Sequence, residues 1–318
     1  MFSIIIPLYN KADYLVKTIN SVLDQTFRDF ELIIINDGST DSSLSVVEQF
    51  SDKRIKVYNQ HNSGVSVARN NGVKYAKFEY IAFLDADDWW DSLFLEEMYK
   101  LIMGYQEAGL YGCSYNRVKN TILYPANIGT DKNFVEGYID YFQVYARTFW
   151  SPINCSFVVV KKTIFEEVGG FLDDLKFGED FHLWAKIALK YKVAYLNKEM
   201  AFSNQDVNHN HRALGNNKYY HTSTHFIFNL SFLENEVANN KPLKKLLDGL
   251  RVRSLIRYHL NGKYKNEVAI EIGKVNFTEQ SNYYNFIYKY PKSVVNLFFF
   301  LKKIGSFTKQ RLIRIVLK

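Results

Sequence analysis

A chain of 318 residues, at roughly 150 per domain, has room for one large domain or two smaller ones. With 47% hydrophobic and 23% charged residues it can bury a sizeable core. Its two cysteines, Cys113 and Cys155, lack the spacing of a disulfide framework or a zinc cluster, and no apolar run reaches the ~18 residues of a membrane span.

The net charge of +7 is concentrated at one end. No acidic residue follows Glu279, whereas eight of the 40 basic residues do, leaving 32 against 33 acidic ones elsewhere. A balanced body with a basic end is not the charge distribution of a nucleic-acid binder, which spreads its charge over a folded face. Met1 leads straight into Phe2-Ser3-Ile4-Ile5-Ile6-Pro7, so no signal peptide is expected.

In chain order, Ser3–Pro7 is an apolar run expected to form a buried strand. Tyr14–Leu23 carries Leu15, Ile19, Val22 and Leu23 at helical spacing. Leu32–Ile35 is a second strand, and Asp41 caps a helix bearing Leu44, Val47 and Phe50. Ile55–Tyr58, a helix over Val65–Tyr75, and Tyr80–Leu84 follow, then a helix over Trp89–Tyr99. Such alternation predicts a mostly parallel sheet covered on both faces, with ligands gathering at the C-terminal edge of its strands. Beyond Gly109 the pattern loosens. Strands are expected at Leu110–Tyr115, Thr121–Tyr124 and Asn154–Val160, and helices at Phe134–Tyr145 and Asp180–Tyr191. After about Arg212 the strand signal fades into helical stretches at Tyr219–Leu233, Leu243–Leu260 and Val268–Ile272.

Four elements fall where chemistry is expected. Asn36-Asp37-Gly38-Ser39-Thr40-Asp41 follows the second strand. Asp37 can accept a hydrogen bond from an N–H of a base, although a turn with a capped helix alone would explain the segment. Asp85-Ala86-Asp87-Asp88 follows the fourth strand. Clustered carboxylates repel unless a cation compensates them, and hard oxygen ligands suit Mg²⁺ or Mn²⁺ bridging two phosphates. Gly178-Glu179-Asp180 opens a helix, where a carboxylate is either a cap or a general base. Arg69, in the stretch that also carries Asn62 and Gly64, can neutralise phosphate or hold the acidic cluster.

Taken together, Ile5-Ile6-Pro7-Leu8-Tyr9-Asn10, Ile35 to Asp41, Asn62-Ser63-Gly64, Ala68-Arg69-Asn70, Phe83 to Asp88, Val168-Gly169-Gly170-Phe171 and Gly178-Glu179-Asp180 resemble the family-2 glycosyltransferases. The resemblance runs from Ser3 to about His211 and rests on the order and spacing of the pieces. It implies a GT-A fold of the nucleotide-diphospho-sugar transferase type over residues 1–212. The nucleotide-binding half would occupy about 1–110 and the acceptor half about 111–212, with a helical C-terminal region over 213–318. It also implies an inverting transfer of sugar from a nucleotide diphosphate, most commonly UDP, to an acceptor hydroxyl of a glycan or lipid-linked glycan.

Under that resemblance Pro7, Tyr9 and Asp37 hold the base, with Tyr9 beside the ring. Asn62, Arg69, Asp85 and Ala86 belong to the nucleotide-sugar site, and Asp87 binds Mn²⁺ or Mg²⁺. Asp180 is the catalytic base, with Glu179 supporting the acceptor or the loop. His209 and His211 lie where relatives carry a loop that closes on the diphosphate, although Asn208-His209-Asn210-His211-Arg212 departs from the usual arrangement. Trp150 and Trp184 are candidates for sugar stacking or core packing.

The C-terminal tail places Val294, Leu297, Phe298, Leu301 and Ile304 at helical spacing beside Lys302 and Lys303. Ile313, Val316 and Leu317 follow, flanked by Arg311 and Arg314. This pattern suits either an anionic membrane surface at the inner face of the cell membrane or a helix packed on the protein. Two other functions fit parts of the sequence. A sugar nucleotidyltransferase would open with a glycine-rich basic loop where Pro7-Leu8-Tyr9-Asn10-Lys11 stands, and a catalytically silent sugar-nucleotide-binding partner would not need Asp87 and Asp180.

Overall fold

The computed structural model describes residues 1–207 and 219–302. Residues 1–243 form one compact unit and the residues from Lys244 onward a second. His209, His211 and the tail beyond Lys302 lie outside the described residues.

The first unit is built on a ten-stranded sheet. Its opening segment runs β1 (Phe2–Leu8), α1 (Ala12–Leu23), β2 (Phe30–Asn36), α2 (Ser43–Val47), β3 (Ile55–Asn59), α3 (Val65–Tyr75) and β4 (Tyr80–Phe83). β1 pairs parallel with both β2 and β4, and β2 with β3. Ile4, Ile5 and Ile6 are all fully buried, because helices cover both faces of a parallel strand. On α1 the buried residues Leu15, Ile19 and Val22 recur at the helical period. α3 lies directly against β1: a Cβ at Gly72 would stand 2.4 Å from the Ile5 side chain. That close approach brings Arg69, one turn earlier on the same face, over the C-terminal end of the sheet.

The second part of the sheet continues with β5 (Trp89–Trp90), α4 (Phe94–Gly104), β6 (Ala108–Lys119), β7 (Ile122–Pro125), β8 (Glu136–Ile139), α5 (Tyr141–Thr148), β9 (Val158–Lys161), α6 (Lys162–Glu167), α7 (Glu179–Lys190) and β10 (Lys192–Asn204). The strand order is β3-β2-β1-β4-β9-β6-β10-β5, with β7 on β6 and β8 on β10. β9 runs antiparallel between β4 and β6, while β6 and β10 are parallel.

Four local expectations change. The helix expected over Trp89–Tyr99 starts at Phe94, because Trp89 and Trp90 pair with Phe202 and Ala201 of β10; Asp91, accepting from the Leu93 amide, turns the chain into the helix. The helix expected over Phe134–Tyr145 is split. Glu136–Ile139 pairs antiparallel with β10, and Asp140 caps α5 by accepting from the Gln143 amide at 2.9 Å. Tyr219–Leu233 folds as 3₁₀ turns, Thr222–Thr224 and Phe226–Phe228, before the short helix α8 (Ser231–Glu234). The long strand β10 carries no sequence signal strong enough to assign it. Its exposed Asn197-Lys198-Glu199 coincides with a register shift between two buried stretches.

The second unit is helical. It comprises most of α9 (Lys241–Ser254), then α10 (Ile256–Asn261), α11 (Lys265–Gly273) and α12 (Asn282–Lys289), followed by a helical stretch over residues 292–302. Arg251, nearly inaccessible, donates to Glu271 at 3.0 Å and ties α9 to α11. No helix among the described residues is long and apolar enough to cross a membrane.

Candidate active site

The C-terminal ends of β1, β2 and β4 open onto a pocket of about 540 Å³. Pro7, Tyr9, Asp37, Asn62, Arg69, Asp85, Ala86, Asp87 and Glu179 all line it. Residues distant in the chain thus meet at the edge where the alternating sheet was expected to gather ligands.

One wall is held by backbone hydrogen bonding. The Asp37 carboxylate, buried at 3% exposure, accepts from Gln60 Nε2 and the Ser63 amide at 2.7 Å each, and from the Gly64 amide at 2.9 Å. A carboxylate has about four acceptor sites, so one remains for an N–H entering the pocket. Gly38 takes φ +72°, and a Cβ there would stand 2.9 Å from the Asn62 amide nitrogen, so the turn excludes a side chain. Asn10, also in the left-handed region, accepts from the Thr40 amide at 2.8 Å and joins the loops after β1 and β2. Tyr9 stays 45% exposed, leaving its ring free to meet a flat ligand. The N-cap of α2 is Ser42 and not the expected Asp41, which accepts instead from the Ser43 amide at 3.0 Å and the Ala12 amide at 3.2 Å, tying α2 to the start of α1.

The opposite wall is a charge network. Arg69 is 3% exposed and donates to Asp85 at 2.7 Å and to Glu179 at 3.0 Å, joining the turn after β4 to the start of α7. Lys11 Nζ pairs with Asp87 at 2.5 Å. Burial raises the Asp87 carboxyl, and the Lys11 ammonium only partly offsets this. Asp88 faces inward and accepts from the Asn204 amide at 2.8 Å; burial, then the charges of Asp87 and Asp85, hold it well above the usual range. Thr18 of α1 donates to the carbonyls of Ala86 and Asp88 at 3.0 and 2.8 Å and fixes this acidic turn.

Asp180 is not part of the pocket lining; it lies one residue beyond Glu179, in the first turn of α7. Burial, and next the charge of Glu179, push its carboxyl up to about 7, against the Phe181 amide it accepts from at 2.7 Å and the Arg69 guanidinium. A carboxylate tuned to that range suits proton abstraction near neutral pH. The positions the sequence did not single out are Lys11, Asn154 and the stretch Ser203, Asn204, Gln205 and Val207. The last four follow from β10, and recognising that strand would have led to them. Trp184 is fully buried against Phe83 and Phe171, whereas Trp150 carries the Arg117 guanidinium 4.1 Å over its ring.

Among the described residues no group of three His, Cys, Asp or Glu side chains is gathered to hold a metal. Mg²⁺ is commonly held by one or two carboxylates plus phosphate oxygens, and the Asp87 carboxylate, paired with Lys11 and lining the pocket, is of the hard oxygen type that fits such an ion.

Staphylococcus aureus TarS, residues 1–349 in complex with UDP-GlcNAc, has a TM-score of 0.70 to this chain at 20% identity, covering 87% of this chain and 82% of that one. That likeness is one of fold, a GT-A architecture. Residues 3–169 match the model of Glycosyl transferase family 2, more than half of the chain, and the chain belongs to that family. The glycosyltransferase GlyA of Streptococcus pneumoniae is 33% identical over 208 residues, which are 62% of this chain and 30% of GlyA. The chain therefore spans about a third of the length of that relative. Escherichia coli WfgD, a UDP-Glc:alpha-D-GlcNAc-diphosphoundecaprenol beta-1,3-glucosyltransferase, is 28% identical over 275 residues, covering 86% of this chain and 98% of WfgD.

Proposed function

We propose that this glycosyltransferase moves a sugar from a UDP-linked donor to an acceptor hydroxyl with inversion, in the synthesis of a bacterial surface or lipid-linked glycan. The observation that carries the reading is a single pocket holding Asp37, Asp87 and Glu179, with Asp180, pushed up to about 7, next to Glu179 in the chain. The base of the nucleotide stacks beside Tyr9 and donates an N–H to the remaining acceptor site of Asp37. Asn62 and Ala86 border the ribose and phosphate path. Arg69 holds Asp85 toward the sugar while its second bond orients Glu179. Asp87 is the residue that would hold Mn²⁺ or Mg²⁺, which when bound would neutralise charge on the leaving diphosphate. Asp180 takes the acceptor's proton as that oxygen attacks the anomeric carbon opposite the departing UDP, so an α-linked donor gives a β-linked product. The donor in the TarS complex and the glucosyltransferase activity for which WfgD is named support this substrate class.

The test is a screen of UDP-, GDP- and dTDP-sugars with Mn²⁺. A rise in melting temperature is expected with a UDP-sugar, accompanied by slow release of UDP, and Asp87→Ala should remove the metal dependence of both. Release of pyrophosphate from UTP and a sugar phosphate would overturn the reading.

The basic end of the chain is assigned to an anionic membrane surface at the inner face of the cell membrane. In its support, Val294, Leu297, Phe298 and Leu301 are each more than 40% exposed along residues 292–302. Deleting Ser293 to Lys318 should release the protein from anionic liposomes while donor binding persists; unchanged co-sedimentation would refute the assignment.

A further inference from the structure

A second cavity, of about 450 Å³, lies wholly within the C-terminal unit and outside the family match. Its volume falls within the range of small-molecule sites. The walls are largely apolar. Val268, Ala269 and Ile272 line it from α11, and Val275 and Phe277 from the turn beyond. Residue spacing puts Lys265 on the same side of α11, one turn before Val268 and Ala269.

Across the rim stands Lys292, the first residue of the helical stretch 292–302. A Cβ at Gly262 would be 3.6 Å from Lys292 Nζ, so this ammonium rests over bare backbone at the end of α10.

Three cations of the unit are held by its acids. Lys244 and Lys274 are bound to Asp248 and Glu271, and Arg251 to Glu271. Lys265 and Lys292 make no ion pair among the described residues, and the chain has no acid after Glu279 to neutralise them. The cavity also includes His259, whose buried Nε2 lacks a hydrogen-bond partner among the described residues. A buried polar nitrogen in an apolar wall is costly unless something pairs with it. Two unneutralised ammonium groups lining an apolar hollow describe an occupant with one anionic end and one hydrocarbon end, and the orphaned nitrogen in the wall shows that the hollow is not self-satisfied.

We propose that this cavity binds an amphiphile whose hydrocarbon chain ends in a phosphate group, with the chain against Val268, Ile272 and Phe277 and the phosphate between Lys265 and Lys292. A terminal phosphate carries nearly two charges at neutral pH and accepts several charge-assisted hydrogen bonds, which matches the two lysines. The exposed apolar side chains that follow Lys292 put the mouth beside a surface suited to lipid, so the chain can enter without crossing water. The site does not depend on the transfer chemistry assigned to the first unit.

Calorimetric titration of the full chain tests it, using farnesyl phosphate and dodecyl phosphate below their micelle concentrations, with inorganic phosphate and an alkyl glucoside as comparisons. One saturable site is expected for the phosphate amphiphiles, and the tighter of the two tells an isoprenoid from an acyl source. Both comparisons should bind at least about tenfold more weakly. Lys265→Ala with Lys292→Ala should weaken amphiphile binding by a similar factor, and Ala269→Trp, which fills the hollow, should remove it. UDP binding and the far-UV circular dichroism of both variants should match the parent. Equal binding of inorganic phosphate would overturn the role of the chain, and equal binding of the glucoside that of the phosphate. Undiminished binding by a folded Ala269→Trp protein would overturn the site.

Discussion

Asp37, which lines the candidate pocket, and Asp180, which lies next to its lining residue Glu179, use the same residue type in opposite ways. Asp37 has three N–H donors fixed on its carboxylate, two of them backbone amides, and its position is therefore set by the loop after β3. Asp180 accepts from the neighbouring Phe181 amide and is held by burial in a state where its charge is disfavoured. One carboxylate is satisfied and serves as scaffold; the other is desolvated and chemically poised. Arg69 uses its guanidinium to balance Asp85 and Glu179, carboxylates from two separate elements. Which acid does chemistry is decided by what surrounds it, not by which motif it belongs to.

The contrast can be broken most directly at Asp180. Asp180→Asn should reduce transfer by about a thousandfold, within the range of general-base removal, while metal-dependent UDP binding is retained. Wild-type-like turnover would remove Asp180 from the mechanism. The pH dependence sharpens the point. An unfolded Asp titrates near 3.9, roughly, and the folded one near 7, so between these values the folded protein binds more protons. This group's contribution to stability is therefore present at low pH and lost as pH rises toward 7, whereas turnover should rise over the upper part of the same window. At pH 8 Asp180→Asn should melt no lower than the parent.

Arg69→Ala comes next. It leaves Asp85 and Glu179 as adjacent carboxylates without their buried partner, and removing one member of such a network costs about 3–5 kcal/mol. Chemical denaturation should record the loss, together with weaker donor binding. A fall of under about 1 kcal/mol would show that water already screens the network. The smallest effect is expected at Asp37→Ala, which strands three donors at a cost of about 1–3 kcal/mol and lowers donor affinity without shifting the pH profile of turnover. A shifted profile would mean the two carboxylates are electrostatically coupled.

Much of this was legible in the sequence where the chain is locally self-consistent. The buried parallel strands β1, β2 and β4 read as continuous apolar runs because both their faces are covered, and α3 occupies the expected Val65–Tyr75. The gathering of the acidic turns at one edge followed from strand direction alone. What could not be read depends on partners far away in the chain. Trp89 and Trp90 look helical until β10 supplies a strand for them to pair with. The salt bridge from Lys11 to Asp87 joins loops after different strands. The burial that tunes Asp180 is likewise a property of the assembled fold, since a Glu-Asp pair at a helix start carries no local mark of its surroundings.

A last consequence concerns Gly178, the residue before the charged start of α7. The Phe177 carbonyl accepts from the Phe226 amide at 3.0 Å, the Lys176 amide donates to the Thr224 carbonyl at 2.9 Å, and a Cβ on Gly178 would meet the Phe226 ring at 2.2 Å. The segment delivering Asp180 is thus strapped down by residues more than forty positions later in the chain, beyond every recognisable motif. A fragment trimmed to the matched region, or even to the end of the sheet, would keep the signature residues yet lose the strap that aims one of them.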